Sequence, residues 1–502
     1  MLTFAIGIVL LFVGGFLYSR VVEKVFGPDN RKTPATTMAD GVDFVTMPEW
    51  KNSLIELLNI AGTGPVLGPI QGVLFGPIAF IAIPIGNIFA GAVHDYLNGM
   101  ISMRNRGAQM PGLMQRYLGN INHKIYLVIV MILMILTGVV FVYTPGDLIT
   151  GPILGLDSSP NHITIWIVYA VIFAYYLVAT LFPIDKLIGR IYPLFGMILI
   201  ISAVGVFFGI ILDGGKNLLN VWDTVPEYYK PAKGAPFIPV FFITVACGIM
   251  SGFHGSQSTL VSRTVGDERE GRTTFYMMMI MEGFIAMAWA GGAMVLFNRN
   301  PEMITGQNAT QMVSTISKEF LGTIGGILAV LGVIVLPITS GDTAFRSVRL
   351  MVAEALNIDQ KRSANRLKTS LGIFIPAVAI LAFAKMNAGG FTLLWRYFGF
   401  TNQLVACFAL AMSTVYLYSH NKQYLMTLIP MTFYVFIVIS YICHAEIGLG
   451  LESRLLGSKD PANYTISYII GVIAAIVADF LTVTHAKNYK DSILKLEPVP
   501  VY

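Results

Sequence analysis

About thirteen stretches of this chain are apolar over close to the 20 or so residues that an α-helix needs to cross a hydrocarbon core. They fix what the chain can become. In hydrocarbon every backbone N–H and C=O must find a partner within the protein, so such stretches form helices or the strands of a closed barrel. Barrel strands alternate polar and apolar residues, and these runs do not. The expectation is an all-α polytopic membrane protein. Composition agrees, with 12% of the 502 residues charged against about 25% in a soluble domain. The runs fall near 2–18, 54–75, 78–101, 125–143, 163–182, 191–212, 237–262, 274–297, 321–345, 370–386, 398–418, 424–443 and 466–482. The first begins directly after Met1 with no basic leader and no small-residue cleavage pattern, so it reads as a retained span.

Two of these runs are interrupted. In the second, Ile60-Ala61-Gly62-Thr63-Gly64-Pro65-Val66-Leu67-Gly68-Pro69 places five helix-disfavouring residues in eight positions. Taken alone, Gly64, Gly68, Gly72 and Gly76 recur every four residues as a ridge for close helix packing. The seventh run is broken in a similar manner through Cys247-Gly248-Ile249-Met250-Ser251-Gly252-Phe253-His254-Gly255-Ser256-Gln257. Four intact runs separate the two breaks. Interruptions at corresponding positions of two inverted halves mark a binding site at the bilayer midplane. The pattern predicts a 5+5 inverted repeat over 54–212 and 237–418, an added helix and loop in 1–53, an outer loop over 213–236, and two peripheral helices with a tail over 419–502.

Loop charge gives the same parity. With residues 19–53 on the cytoplasmic side, 24 of the 33 Lys and Arg lie inside and 9 outside, the asymmetry expected of a plasma-membrane protein. The N-terminus is then outside and the C-terminus cytoplasmic. Scattered in short loops, these basic residues form no nucleic-acid surface; the expected partners are the bilayer and a small substrate.

The chemistry of the breaks follows from helix ends. A half-helix that begins inside the membrane presents free N–H groups and a positive dipole end, which suit a carboxylate. Gly62, Thr63, Gly64 and Pro65 at the first break, with Ser251, Gly252, Phe253, His254, Ser256 and Gln257 at the second, are the candidate substrate-binding residues. Pro65 suits a first helical turn, and Ser251 or Ser256 suits an N-cap. Carbonyls released near Ile60 to Gly62 and Cys247 to Met250 suit a dehydrated cation. Thr339, Ser340 and Asp342 add oxygen donors of the kind a hard cation such as sodium takes; equally, the hydroxyls can bond back to their own helix and Asp342 can pair with Arg346. Glu282 is the clearest carboxylate inside a run, as a proton carrier or as a structural partner of a neighbouring helix. His254 can titrate near neutrality or bind a carboxylate. His94-Asp95 closes the third run. The coupling candidates are therefore Ile60, Thr339, Ser340, Asp342 and Glu282, and the ion is Na+ or H+.

Other classes find no support. Cys247, Cys407 and Cys443 lack metal-ligand spacing and read as small buried hydrophobes. There is no H-E-x-x-H, G-x-S-x-G, P-loop or Rossmann glycine pattern, so neither enzyme nor bound cofactor is expected.

Several longer motifs resemble one family. Gly27-Pro28-Asp29-Asn30-Arg31-Lys32-Thr33-Pro34-Ala35 with Asp40-Gly41-Val42-Asp43, Ala61-Gly62-Thr63-Gly64-Pro65 with Gly68-Pro69, and Pro183-Ile184-Asp185-Lys186 with Gly189-Arg190-Ile191-Tyr192-Pro193 are similar to the carbon starvation protein A family of bacterial inner-membrane transporters. So are Ser251-Gly252-Phe253-His254, Glu268-Arg269-Glu270-Gly271-Arg272, Leu336 to Arg346, and Trp395-Arg396-Tyr397-Phe398-Gly399 with Asn402-Gln403. The resemblance implies uptake of small carbon sources, peptides or pyruvate, under carbon starvation. It also implies kinship with carriers of the leucine-transporter fold, in which Thr339 and Ser340 would match hydroxyls of a sodium site beside the first broken helix. The expected activity is secondary active import of a small carboxylate-bearing nutrient by cation-coupled alternating access. A metabolite sensor without net transport and a passive channel are the rival classes.

Overall fold

The computed structural model describes residues 1–40, 44–181, 185–230, 235–303, 306–359 and 362–493. Gly41, Val42, Asp43, Pro183 and Ile184 of the family motifs lie outside these residues. Among the described residues there is no strand, only an isolated bridge between Met47 and Val265. In chain order the helices are α1 (Leu2–Phe26), α2 (Glu49–Ile60), α3 (Gly64–Phe75), α4 (Ala79–Arg104) and α5 (Met110–Ile153). Then come α6 (Ile163–Leu181), α7 (Asp185–Leu212), α8 (Phe237–Thr244) and α9 (Gly252–Val261). The last are α10 (Glu268–Arg299), α11 (Ala309–Ala353), α12 (Ser363–Met386), α13 (Gly390–Ser419), α14 (Leu425–His444) and α15 (Thr465–Ser492). Nine of these are long and apolar enough to cross a membrane, and α2 with α3 makes a tenth span bent by 51°. The chain is a multi-pass helical membrane protein.

Hydropathy marks only the apolar middle of each helix, so the observed ends lie further out. The helix begun at Leu2 runs on to Phe26 rather than 18. More consequential is α2, which starts at Glu49, five residues before the apolar run; Pro48 is extended at its N-cap and Glu49 favours the positive end of the dipole. This extra turn brings Glu56 well inside the helix and buries it fully. In α11, Gly322 turns with φ 68° and divides a leading segment from the apolar remainder. The core is centred on α10, where 94% of the membrane-length window is buried, against 17% for α15. The outer helix shows Val472, Ile476 and Phe480 outward, as lipid contact requires.

Both expected breaks are present, and they touch. The stretch Ala61 to Thr63 separates α2 from α3, with Pro65 in the first turn of α3. Residues 245–251 separate α8 from α9 and include Gly248 at φ 85°. A Cβ on Gly64 would lie 2.3 Å from Cys247 Sγ, one on Gly68 3.1 Å from the Thr244 carbonyl oxygen, and one on Gly72 2.3 Å from Val245 Cγ2. Three glycines of the four-residue ridge thus face the second break, while Gly76 faces Val225 instead. The ridge is the surface through which the two breaks meet. Gly72→Ala should therefore lower the thermal stability of the purified protein by about 1–3 kcal/mol, as overpacking does. In a Val245→Ala background the same substitution should cost far less; an equal loss in both backgrounds would contradict the contact.

Candidate functional site

Broken backbone needs partners, and at the second break side chains supply them. Asn402 of α13 accepts from the Phe253 N–H at 2.9 Å, so the first turn of α9 is capped from another helix. The hydroxyl of Ser251, at the N-cap position, makes no bond to its own helix and bonds to Asn402 instead. The carbonyls released where α8 ends are also taken. Gln403 donates to the Phe242 carbonyl at 3.0 Å and Trp395 to that of Thr244 at 3.1 Å. Asn87 of α4 donates to the carbonyls of Gly248 and Met279. The expectation of open cation-binding carbonyls over Cys247 to Met250 thus meets a Gly248 oxygen already occupied. The reason is the amide side chains of α4 and α13, which reach the break from outside its own sequence.

Beside the breaks lies a fully buried cluster of charged and polar groups. Asp95 of α4 bridges two imidazoles, with Oδ1 2.7 Å from His94 Nδ1 and Oδ2 3.0 Å from His254 Nδ1. His94 Nε2 faces the Asn98 amide nitrogen at 3.1 Å. With that amide as oriented, Nε2 accepts and His94 carries its proton on Nδ1. The lone pairs of Asp95 are then met by two ring N–H donors, which commits His254 Nδ1 to a proton as well. The remaining nitrogen, His254 Nε2, stands 3.5 Å from Glu282 Oε1 of α10, a charge contact longer than a normal hydrogen bond. Glu56 of α2 accepts from Ser258 of α9 at 2.6 Å. Asp95, His94, His254, Glu56 and Glu282 are all 0% exposed. The gap between His254 Nε2 and Glu282 is a place where a proton can be gained or lost without breaking a bond already made.

Other buried polar atoms nearby lack hydrogen-bond partners among the described residues: Thr63 Oγ1 at the first break, Gln257 Nε2 on α9 and Glu56 Oε2. Buried polar groups are nearly always paired, so several acceptors and donors at both breaks stand ready for a guest.

The sequence-expected residues are brought together unevenly. Gly62 lies against Phe141 of α5, whose ring also meets Phe253 edge-on at 6.2 Å. Pro65 is next to Gly248, and Gly252 abuts the Asn402 backbone. Ser256 is half-buried and its carbonyl accepts from Thr259. On α11, Thr339 donates back to the Leu336 carbonyl at 2.8 Å and Asp342 pairs with Arg346 at 3.1 Å. Ser340 is 4% exposed with no partner for its hydroxyl among the described residues. Gly341, next to it, packs on Tyr176 and Phe141, so this stretch reaches the first break through the Phe141 ring. Ile60 is buried at the end of α2.

Glu56 and Asn87 escaped the sequence reading, and His94-Asp95 was placed at a helix end. A signal existed for α4. Asn87, Gly91, His94, Asn98 and Ser102 recur at intervals of four, three, four and four, the spacing of one helical face.

On the face carrying residues 27–52, two motifs are knotted together. Glu268, 1% exposed, receives two bonds from Arg104 at 3.0 Å each and one from the Asp29 backbone N–H at 3.1 Å. The hydrogen bonds from Arg31 hold the Asp29 carboxyl well below the usual carboxylate range.

Interrupted helices that meet at membrane depth are the arrangement in which many membrane transporters build a binding site. The model of the carbon starvation protein CstA family matches residues 1–168, 154–324 and 291–441, and the chain belongs to that family. It is 39% identical over 348 residues to an uncharacterized membrane protein of Haemophilus influenzae, covering 61% of this chain and 93% of the relative. Identity is 26% to the pyruvate/proton symporter BtsT of Escherichia coli, over 53% of this chain and 45% of that protein. It is 23% to the peptide transporter CstA of Campylobacter jejuni, over 84% and 76% respectively. In fold, the chain is similar to a manganese transporter of Eremococcus coleocola, with TM-score 0.57 and 13% identity over 90% of this chain and 99% of that one.

Asn402→Ala removes the cap of α9 and should destabilise the protein by about 1–2 kcal/mol, seen as a lower melting temperature in detergent. Ser251→Ala, which removes no bond to the backbone, should cost less. The reverse order would contradict the assignment of Asn402 as the cap.

Proposed function

We propose that the chain is a proton-coupled importer of a small carboxylate-bearing nutrient across the cytoplasmic membrane, serving the cell under carbon starvation and working by alternating access. The observation that carries this reading is the contact between His254 and Glu282, sealed at 0% exposure beside both breaks. Without a proton in that gap, Asp95 and Glu282 are two carboxylates beside a neutral imidazole, with the Glu56 carboxyl also in the cluster, and further negative charge from a substrate is repelled in a medium that screens little. One added proton cancels one of those charges. A substrate carboxylate can then approach the N-terminal end of α3, where the dipole favours it. Proton and substrate therefore bind together or leave together. The names of the pyruvate/proton symporter and the peptide transporters among its relatives support the substrate class.

In this reading α2 to α7 and α8 to α13 are the two inverted halves, over 54–212 and 237–418. The N-terminus faces outward, the C-terminus inward, and the Arg104–Glu268 knot lies on the cytoplasmic side. Sodium is the second reading, favoured by the unpartnered Ser340 hydroxyl beside Gly341; its ligands would be the Ile60 carbonyl with Thr339 and Ser340.

The test is uptake of labelled pyruvate and of labelled dialanine into proteoliposomes with proton and sodium gradients imposed separately. An inward proton gradient should drive accumulation of at least one of them. Glu282→Gln and His254→Ala should bring gradient-driven accumulation to the level of protein-free vesicles, while Glu282→Gln retains exchange of substrate at equal concentrations. Accumulation driven by sodium alone and untouched by Glu282→Gln would replace the proton reading with the sodium one.

A further inference from the structure

A second polar site lies at the face bearing the N-terminus. This face is tied by Arg299, which bridges Asp213 at 3.1 Å and also pairs with Glu319. Here a cavity of about 310 Å³ opens between the end of α5 and the leading segment of α11; Asp147, Ser158, Thr310, Ser314 and Lys318 are among its lining residues. That volume falls at the small end of ligand pockets.

Its floor has an unusual carboxylate. Asp147 is 6% exposed, and both protein donors that reach it converge on Oδ1: Lys385 at 2.7 Å and the Tyr169 hydroxyl at 2.9 Å. Lys385 is itself buried and lies over the Tyr143 ring at 4.9 Å. These contacts hold the Asp147 side chain in place and leave Oδ2, which has no donor among the described residues, for the cavity that Asp147 lines. Thr310, 1% exposed and also on the cavity wall, has a hydroxyl with no partner among the described residues. An acceptor fixed by an ion pair behind it calls for a donor in front. Lys318, exposed on the same wall, calls for an anion.

We propose that this cavity is an entry-side recognition site for a zwitterion with a free primary ammonium and a carboxylate, such as a short peptide. Asp147 Oδ2 and the Thr310 hydroxyl receive the ammonium, and Lys318 faces the carboxylate. Pyruvate offers only acceptors and leaves Oδ2 unmatched. The proposal rests on the carrier reading and narrows its substrate, at a site separate from the central cluster.

The test is titration calorimetry on the full-length protein in nanodiscs with dialanine, N-acetyl-dialanine and pyruvate. Dialanine should bind about tenfold or more tightly than the acetylated form, whose amine is blocked and leaves a buried acceptor unpaired. Asp147→Asn should erase that preference. Thr310→Val, which leaves the Asp147–Lys385 pair intact, should reduce it, so that loss of fold cannot imitate the result. Glu282→Gln should keep the preference while losing gradient-driven uptake. Equal binding of the two peptides, tighter binding of pyruvate, no binding of dialanine, or a preference unchanged in both cavity variants would overturn the proposal. A preference present in a protein that accumulates nothing would overturn the carrier reading and leave this site standing.

Discussion

Gly64 and Cys247 approach so closely that a methyl group on the glycine would lie 2.3 Å from the sulfur, and this contact is where two interrupted helices meet. Ending a helix within the bundle releases N–H and C=O groups that lipid cannot satisfy. Bringing the two ends together confines that problem to one place, where a few side chains can deal with it. Asn402, Gln403, Trp395 and Asn87 do so at the second break. Each comes from a helix distant in sequence, so solving the backbone problem also fixes how α4 and α13 sit against the break.

The same convergence positions the charges. Asp95 on α4, His254 on α9 and Glu282 on α10 lie within contact distance because their helices are already locked around the breaks. Asp95 orients His254 by occupying one ring nitrogen, and the other then faces Glu282. A buried carboxylate pair around one imidazole is costly to leave fully charged. That cost makes the cluster a natural place for proton exchange to answer a bound anion. Away from the cluster, the Arg104–Glu268 knot lies at the end of α4 and the Asp147–Lys385 pair near the far end of α5.

Much of this was legible in the residue order. Glycine and proline inside apolar runs announced both breaks, because few other residues disfavour a membrane helix so strongly. The four-residue glycine ridge announced close packing, and contact between the breaks means that packing and site share one segment. Less legible was Glu56, since an apolar-run criterion starts the helix at 54 whereas the chain begins it at Glu49. The role of Asn402 was also hidden; a cap donated across the bundle has no local spacing to betray it, and Ser251 was the residue in the expected position. Thr339 and Asp342 take the partners that the simpler alternative gave them, Leu336 and Arg346, because helical geometry offers those bonds without help from tertiary structure.

The proposed coupling carries substrate and proton together through the His254–Glu282 contact. It is tested most directly by proteoliposomes loaded with a pH indicator, in which transported substrate is added outside with no ion gradient imposed. The interior should acidify as substrate enters, and Glu282→Gln should abolish the acidification while substrate exchange continues. Entry of substrate with no change of internal pH in the unaltered protein would contradict it.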